Sequence, residues 1–389
     1  MGMRKALLEV WVVSTKLGLT SFGGPIAHLG YFHNEYIRRR RWMDERSYAD
    51  LVALCQFLPG PTSSQVGIGI GVVRAGLLGG LVAWLGFTLP SVLALAAFAF
   101  LLQGYDLASA GWIHGLKIVA VAIVAQAILG MGQKLAPDRE RAAIAVLAAT
   151  VTLTWHTAYS QVLAIIAAGA VGIWLYRNKA NEPMPELPIN IGRTFAAGCM
   201  VVFLALLLVL PMLRGSAEWV AMADSFYRSG SLVFGGGHVV LPLLEREVVP
   251  PGWVSGEQFL AGYGAAQAVP GPLFTFASYL GALAGGVKGV IIATVAIFLP
   301  AFLLVVGALP FWNVLRNSPR IQGALAGINA AVVGLLLAAL YDPLWTSAIV
   351  EPVDFAMAVI LFALLVFWKL PPWAVVLLGA GGGMLLGLV

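Results

Sequence analysis

Four stretches of this chain interrupt apolar sequence with glycine and proline: Phe22-Gly23-Gly24-Pro25, Pro59-Gly60-Pro61, Phe234-Gly235-Gly236-Gly237 and Pro270-Gly271-Pro272. Proline is favoured in the first turn of a helix, where its missing N–H costs nothing, and a preceding glycine permits the turn. Gly24-Pro25, Gly60-Pro61 and Gly271-Pro272 therefore read as helix starts inside apolar segments. A helix start exposes amide N–H groups and about half a positive charge, which is chemistry for holding an anion. The hydroxyls of Thr62, Ser63 and Ser64 follow the first Pro-Gly-Pro and suit an oxyanion. After the second, only Thr275 stands in register with Ser64, so the expected site is asymmetric. Formal charge is the second requirement, and Lys16 and Arg228 each stand six residues before the phenylalanine of their Phe-Gly-Gly. A cation within a membrane segment is costly enough to mark a functional site, and these two are expected to form a pair around the anion. The competing reading is that their long stems carry the charge to the interface.

Other polar positions are weaker candidates for coupling or gating. His28 and His238 follow the two Gly-Gly breaks without being in register. Gln56 and Gln267 stand three residues before each Pro-Gly-Pro, where they could cap or orient the break, and Glu35 and Glu247 match at the ends of the returning segments. Lys117 has no basic counterpart in the second half. No metal-ligand cluster appears, and Cys55 and Cys199 offer neither a disulfide framework nor a metal site. With no metalloprotease or nucleophile-elbow motif, an integral-membrane enzyme is the least favoured class. The chain also lacks a nucleotide-binding loop of the Walker kind, so no cofactor is expected and an ion gradient must drive any transport.

The elements that position these residues are set by lipid. Of 389 residues, 60% are hydrophobic and 11% charged, and the mean hydropathy is +0.89. A soluble fold has too little interior for so much apolar surface. The net charge of +5 comes from short clusters between apolar segments, which excludes a nucleic-acid stripe. A long internal repeat orders the rest. Phe22-Gly23-Gly24 recurs as Phe234-Gly235-Gly236, Trp42 as Trp253, Gln56 with Pro59-Gly60-Pro61 as Gln267 with Pro270-Gly271-Pro272, and Leu89-Pro90 as Leu299-Pro300.

The expected architecture is an all-α polytopic membrane protein of two inverted-topology repeats with broken or re-entrant helices and about thirteen hydrophobic segments. Residues 1–176 form the first repeat and 214–389 the second. Between them, 177–213 supply a polar linker and one connecting helix, and that odd helix inverts the second half. Loop charge agrees: 37–46, 131–141 and 177–193 are basic and read as cytoplasmic, whereas the counterparts 245–257 and 341–354 are acidic. Arg4, Lys5 and the Arg38–Arg41 cluster flank one apolar segment yet both read as cytoplasmic. A segment that enters, breaks at Gly23-Gly24-Pro25 and returns removes that conflict; a kinked full crossing is the alternative.

Phe-Gly-Gly-Pro followed by a basic-aromatic loop and Pro-Gly-Pro, repeated as Phe-Gly-Gly-Gly-His and a second Pro-Gly-Pro, resembles the chromate ion transporter family, ChrA type. The resemblance covers both halves. It implies a multi-pass inner-membrane protein that exports chromate from the cytoplasm and confers chromate resistance, with sulfate as the related oxyanion. Gly237 departs from the Pro25 of the first half and makes the second break less rigid. The expected partners are the chromate or sulfate oxyanion and the lipid bilayer, with a homo-oligomer left open and no nucleic acid. A passive anion channel is the alternative to a secondary transporter.

Overall fold

The computed structural model describes residues 2–103, 111–155, 158–176, 191–234, 236–312, 315 and 318–386. Every regular element among them is helical. The first repeat comprises α1 (Met3–Thr20), α2 (Gly24–Phe32, continued by a π-helical stretch His33–Arg39), α3 (Glu45–Phe57), α4 (Thr62–Gln103), α5 (Gly111–Leu135), α6 (Arg139–Thr154) and α7 (Ala158–Leu175). The connecting helix is α8 (Arg193–Leu213). The second repeat comprises α9 (Glu218–Ser231), α10 (Val240–Val248), α11 (Gly256–Ala266), α12 (Phe276–Ala308), α13 (Pro319–Ala339), α14 (Pro352–Val366) and α15 (Pro372–Leu386). Short 3-10 turns, Gly237–Val239 and Leu273–Thr275, lead into α10 and α12.

Among the described residues, five helical stretches are long and apolar enough to cross a bilayer: Thr62–Gln103, Gly111–Leu135, Arg193–Leu213, Leu273–Phe311 and Pro319–Ala348. Large apolar side chains stay on the outside, among them Leu93, Leu147, Trp174, Leu208 and Leu378. In lipid that exposure carries no hydrophobic penalty. The chain is a multi-pass membrane protein.

Two of those stretches are themselves folded over. In α4 the helix breaks at Ala75-Gly76, where Gly76 has φ +67° and ψ −164°, and the backbones of Gly71 and Gly79 touch. The matching break in α12 lies at Gly285-Gly286, with Gly286 at φ +58° and ψ −144°, and there Gly281 meets Gly289. A side chain at any of these four contact glycines would collide with backbone, which is why both turns can be so tight. Sequence places segment boundaries close to these points.

The Gly-Gly breaks make hairpins as well. Ser14 Oγ lies 3.1 Å from Tyr36 Oη, and Arg40 donates to Glu9 at 3.1 Å, so α2 runs back along α1. The chain doubles back at Gly23-Gly24. In the second half Ser225 Oγ donates to Glu247 at 2.8 Å, and α10 doubles back on α9 in the same way. The two Pro-Gly-Pro breaks form the other pair of hairpin tips: Leu51 packs against Gly69 across the first, and Tyr279 against Gly262 across the second.

The repeats interlock. The second arm of α4 meets the second arm of α12 at Trp84 and Phe298, and it reaches the first arm of α12 with Phe98 against Tyr279 and Gln103 Nε2 donating to Ala282 O at 3.3 Å. Long helices of one repeat are housed by the other. Helix α5 packs on α14 and α15, with Gly111 and Gly115 against Gly383 and Gly379. Likewise α13 packs on α6 and α7, with Gly323 and Gly327 against Gly172 and Ala168. Small residues let these backbones approach closely, as membrane helices require. The linker 177–190 lies outside the described residues.

Candidate functional site

The four breaks converge. Gly60 N donates to Val233 O at 2.7 Å, and Gly271 N donates to Ser21 O at 2.9 Å. Each Pro-Gly-Pro of one repeat is thus bonded to the residue just before the Phe-Gly-Gly of the other. Only an unusual backbone allows this: Gly60 has φ +120° and Gly271 φ +101°. A Cβ on Gly60 would lie 3.0 Å from Gln65 Nε2, and one on Gly271 would lie 2.7 Å from Ser91 Oγ. Gly237 closes the cluster, since a Cβ there would sit 3.5 Å from Pro25 Cγ and 3.7 Å from Leu273 Cδ2.

Four helix starts meet here, those of α2, α4 and the two 3-10 turns leading into α10 and α12. The leading N–H groups of a helix have no intrahelical partner, so this junction concentrates donors and positive partial charge. Around it lie three buried hydroxyls without a hydrogen-bond partner among the described residues, Ser21 Oγ, Ser64 Oγ and Thr88 Oγ1. A buried polar group normally has a partner, and each of these hydroxyls can donate to an anion.

The other expected residues distribute as follows. Thr62 begins α4, and Ser63 is buried beside it. Gly23 caps α2 with φ +95°, followed by Gly24, while Gly236 faces Met131 and Gly235 lies outside the described residues. Thr275 spends its hydroxyl locally, donating to Pro272 O at 2.7 Å. His28 packs its ring edge-on against Phe87, and His238 Nδ1 pairs with Tyr263 Oη at 2.7 Å. Gln56 is exposed, away from the junction.

Lys16 and Arg228 are not at the breaks. Lys16 Nζ lies 3.2 Å from Glu35, and Arg228 lies 3.0 Å from Glu247. Each repeat therefore pairs its cation with its own in-register glutamate across the α1–α2 or α9–α10 hairpin. Pairing removes the cost of an isolated intramembrane charge. The first clasp extends through Arg39 and Arg40 on Glu35, with Arg40 and Arg74 on Glu9. The second is more buried, with Arg214 and Arg228 both on Asp224 and Glu247. Lys117 reaches Glu257 at 3.3 Å.

Sequence reading missed Gln65, whose Nε2 donates to Pro59 O at 2.7 Å and braces the first break. Its place in the first turn after Pro61 is the signal that could have found it. Ser91, beside Gly271, follows the repeated Leu89-Pro90. Asp50, which accepts from Trp312 Nε1 at 2.8 Å, links the repeats with no local sequence signal.

A family model described as chromate transporter matches the chain twice, over residues 8–173 and 220–384. The chromate transport protein of Pseudomonas aeruginosa is 29% identical over 344 residues, covering 84% of this chain and 78% of that one. That of Cupriavidus metallidurans is 27% identical over 381 residues, covering 96% and 90%. An uncharacterized transporter of Methanocaldococcus jannaschii is 26% identical over 339 residues, covering 85% and 83%. No solved structure matches. The breaks that meet at the junction lie within the two matched stretches, and with most of its length matched the chain belongs to the chromate transporter family.

Proposed function

We propose that this protein is a secondary transporter that carries chromate, with sulfate as a related tetrahedral dianion, out of the cytoplasm across a bacterial inner membrane. The crossed bonds from Gly60 to Val233 and from Gly271 to Ser21 carry the reading, because they gather four helix starts from both repeats at one point. The anion sits at that junction, held by the leading amides of α2 and α4 and by Thr62, Ser63 and Ser64. The glycines of both Gly-Gly breaks and Gly271 allow the backbone to approach it, and Thr275 contributes backbone more than hydroxyl. A single helix start is worth only about 0.3–2 kcal/mol to an anion, so a desolvated dianion needs several together.

Lys16 and Arg228 serve this site indirectly, as clasps that fix the hairpins whose tips form it. Glu35 and Glu247, held by those cations, are the candidates for coupling or gating. The inverted topology is supported by loop charge, basic at 37–46 and 131–141 and acidic at the counterparts 245–257 and 341–354. Family membership and the names of the relatives support chromate as substrate.

Chromate flux into proteoliposomes, with and without a pH gradient or internal counter-anion, tests the reading. Saturable flux that responds to the gradient or is accelerated by internal anion is the expected result. Non-saturating flux driven only by the chromate gradient would replace the transporter with a channel. Thiol labelling should place residues beside Arg40 and Val249 on opposite sides of the membrane; labelling from one side would overturn the inverted arrangement.

A further inference from the structure

An open cleft of about 560 Å³ leads to the first Gly-Gly break. Its floor is Phe22 and Gly23, with the Phe22 ring 6.4 Å from that of Trp373. Tyr31 of α2 and Gln126 and Gln133 of α5 line its walls, and the α14–α15 corner supplies Lys369. That corner is recessed for a geometric reason: α14 and α15 have 15 residues each, about 22 Å of helix, short of a bilayer core of about 30 Å. Gln126 Nε2, donating to Leu365 O at 3.4 Å, ties the corner to α5.

Lys369 is the one charged side chain among the residues that line the cleft. Its φ is +54°, at the end of a helix where glycine is the favoured residue. It is also exposed and makes no ion pair among the described residues, unlike Lys16, Arg228 and Lys117. Its charge is therefore unspent, in a cleft that ends at the first Gly-Gly break.

We propose that this cleft is the vestibule through which tetrahedral oxyanions reach the breaks, with Lys369 as the cation that concentrates them there. The proposal rests on the transport reading. The cleft follows the last third of α5 toward the basic 131–141 loop, so it faces the side assigned to the cytoplasm. A fixed cation in a low-dielectric cleft raises the local concentration of a dianion and does so less as salt rises.

The test uses the full-length protein in liposomes, with sulfate as probe because chromate oxidises thiols. Lys369→Gln should raise the half-saturating sulfate on the cleft side about three- to tenfold with maximal rate within about twofold, Lys369→Glu should raise it further, and Lys369→Arg should stay near the parent. High salt should shrink these differences. Independently of transport, a thiol at Gln133→Cys is labelled with impermeant anionic and cationic methanethiosulfonates, Cys55 and Cys199 being buried. Lys369→Gln should lower the anionic-to-cationic rate ratio about three- to tenfold, and sulfate should slow labelling. An unchanged ratio, or parental half-saturation in Lys369→Glu, overturns the vestibule. Absence of saturable flux in the parent instead overturns the transport reading, and the labelling ratio still decides the vestibule.

Discussion

The two repeats build the same kind of hairpin, yet the spaces described beside the two differ: an open cleft lies beside one and a narrow pocket beside the other. Beside the α1–α2 hairpin, the α14–α15 corner leaves the cleft of about 560 Å³. Beside the α9–α10 hairpin, a pocket lined by Arg228, Arg246 and Glu247 measures about 20 Å³. Arg246 reaches out from this hairpin: its guanidinium donates to Ser160 Oγ at 2.9 Å and Thr152 O at 3.1 Å, pinning α10 to α6 and α7. With Glu35 and Glu247 in register, the residue matching Arg246 is Asn34, too short to reach as far. A duplicated architecture can thus brace one hairpin against its neighbours with a side chain that the other hairpin lacks, without any difference in fold.

The largest effect should come from the clasps. Arg228→Gln leaves Arg214 as the one cation on Asp224 and Glu247, and loss of one partner from such a buried group should cost about 3–5 kcal/mol in a detergent-solubilised melt. Lys16 is half exposed, and Lys16→Gln should cost under about 1 kcal/mol. Equal losses would mean that the two hairpins are held alike.

The breaks come next. Gly271→Ala forces a left-handed alanine against Ser91, and about 1–3 kcal/mol of stability should be lost, part of it recovered by Ser91→Gly. Gly60→Ala should be milder, because its nearest neighbour is the end of the flexible Gln65. A reversed order would break the comparison at the junction.

Arg246→Gln should loosen α10 from α6 and α7. Labelling of a thiol at Leu243→Cys, which lines the narrow pocket, should then accelerate about tenfold, equivalent to about 1.4 kcal/mol in the opening equilibrium. No change would show that packing, not the guanidinium, holds α10 in place.

The smallest stability effect is expected at the helix starts. Joint Thr62→Ala and Ser63→Ala substitution should cost about 1 kcal/mol or less while clearly weakening sulfate binding. Thr275→Ala should weaken binding less, since its hydroxyl is already committed to Pro272. An equal loss would make the two starts equivalent ligands.

What sequence could reveal here was local punctuation. Glycine and proline announce a break through their own backbone chemistry, so all four breaks, and nearly the turns at Ala75 and Gly285, were legible. Repetition then matched Lys16 with Arg228 and Glu35 with Glu247. That each cation would meet its own glutamate was not legible, because the pairing exists only once the hairpin closes. The bonds from Gly60 and Gly271 were hidden for a deeper reason: their acceptors are backbone carbonyls in the other repeat, and a carbonyl carries no sequence identity. Gln56 shows the opposite failure, a matched residue whose helix turns it outward.

The exchange of helices between repeats also has a meaning for biogenesis. As the chain is made, α5 enters the membrane with the glycine face at Gly111 and Gly115 uncovered, and its cover, α15, follows only after nearly the whole second repeat. The first repeat cannot finish as an independent unit. Until α15 arrives, lipid or another membrane protein must occupy that face, so the late-made helices act as the closing piece of a structure begun at the other end of the chain.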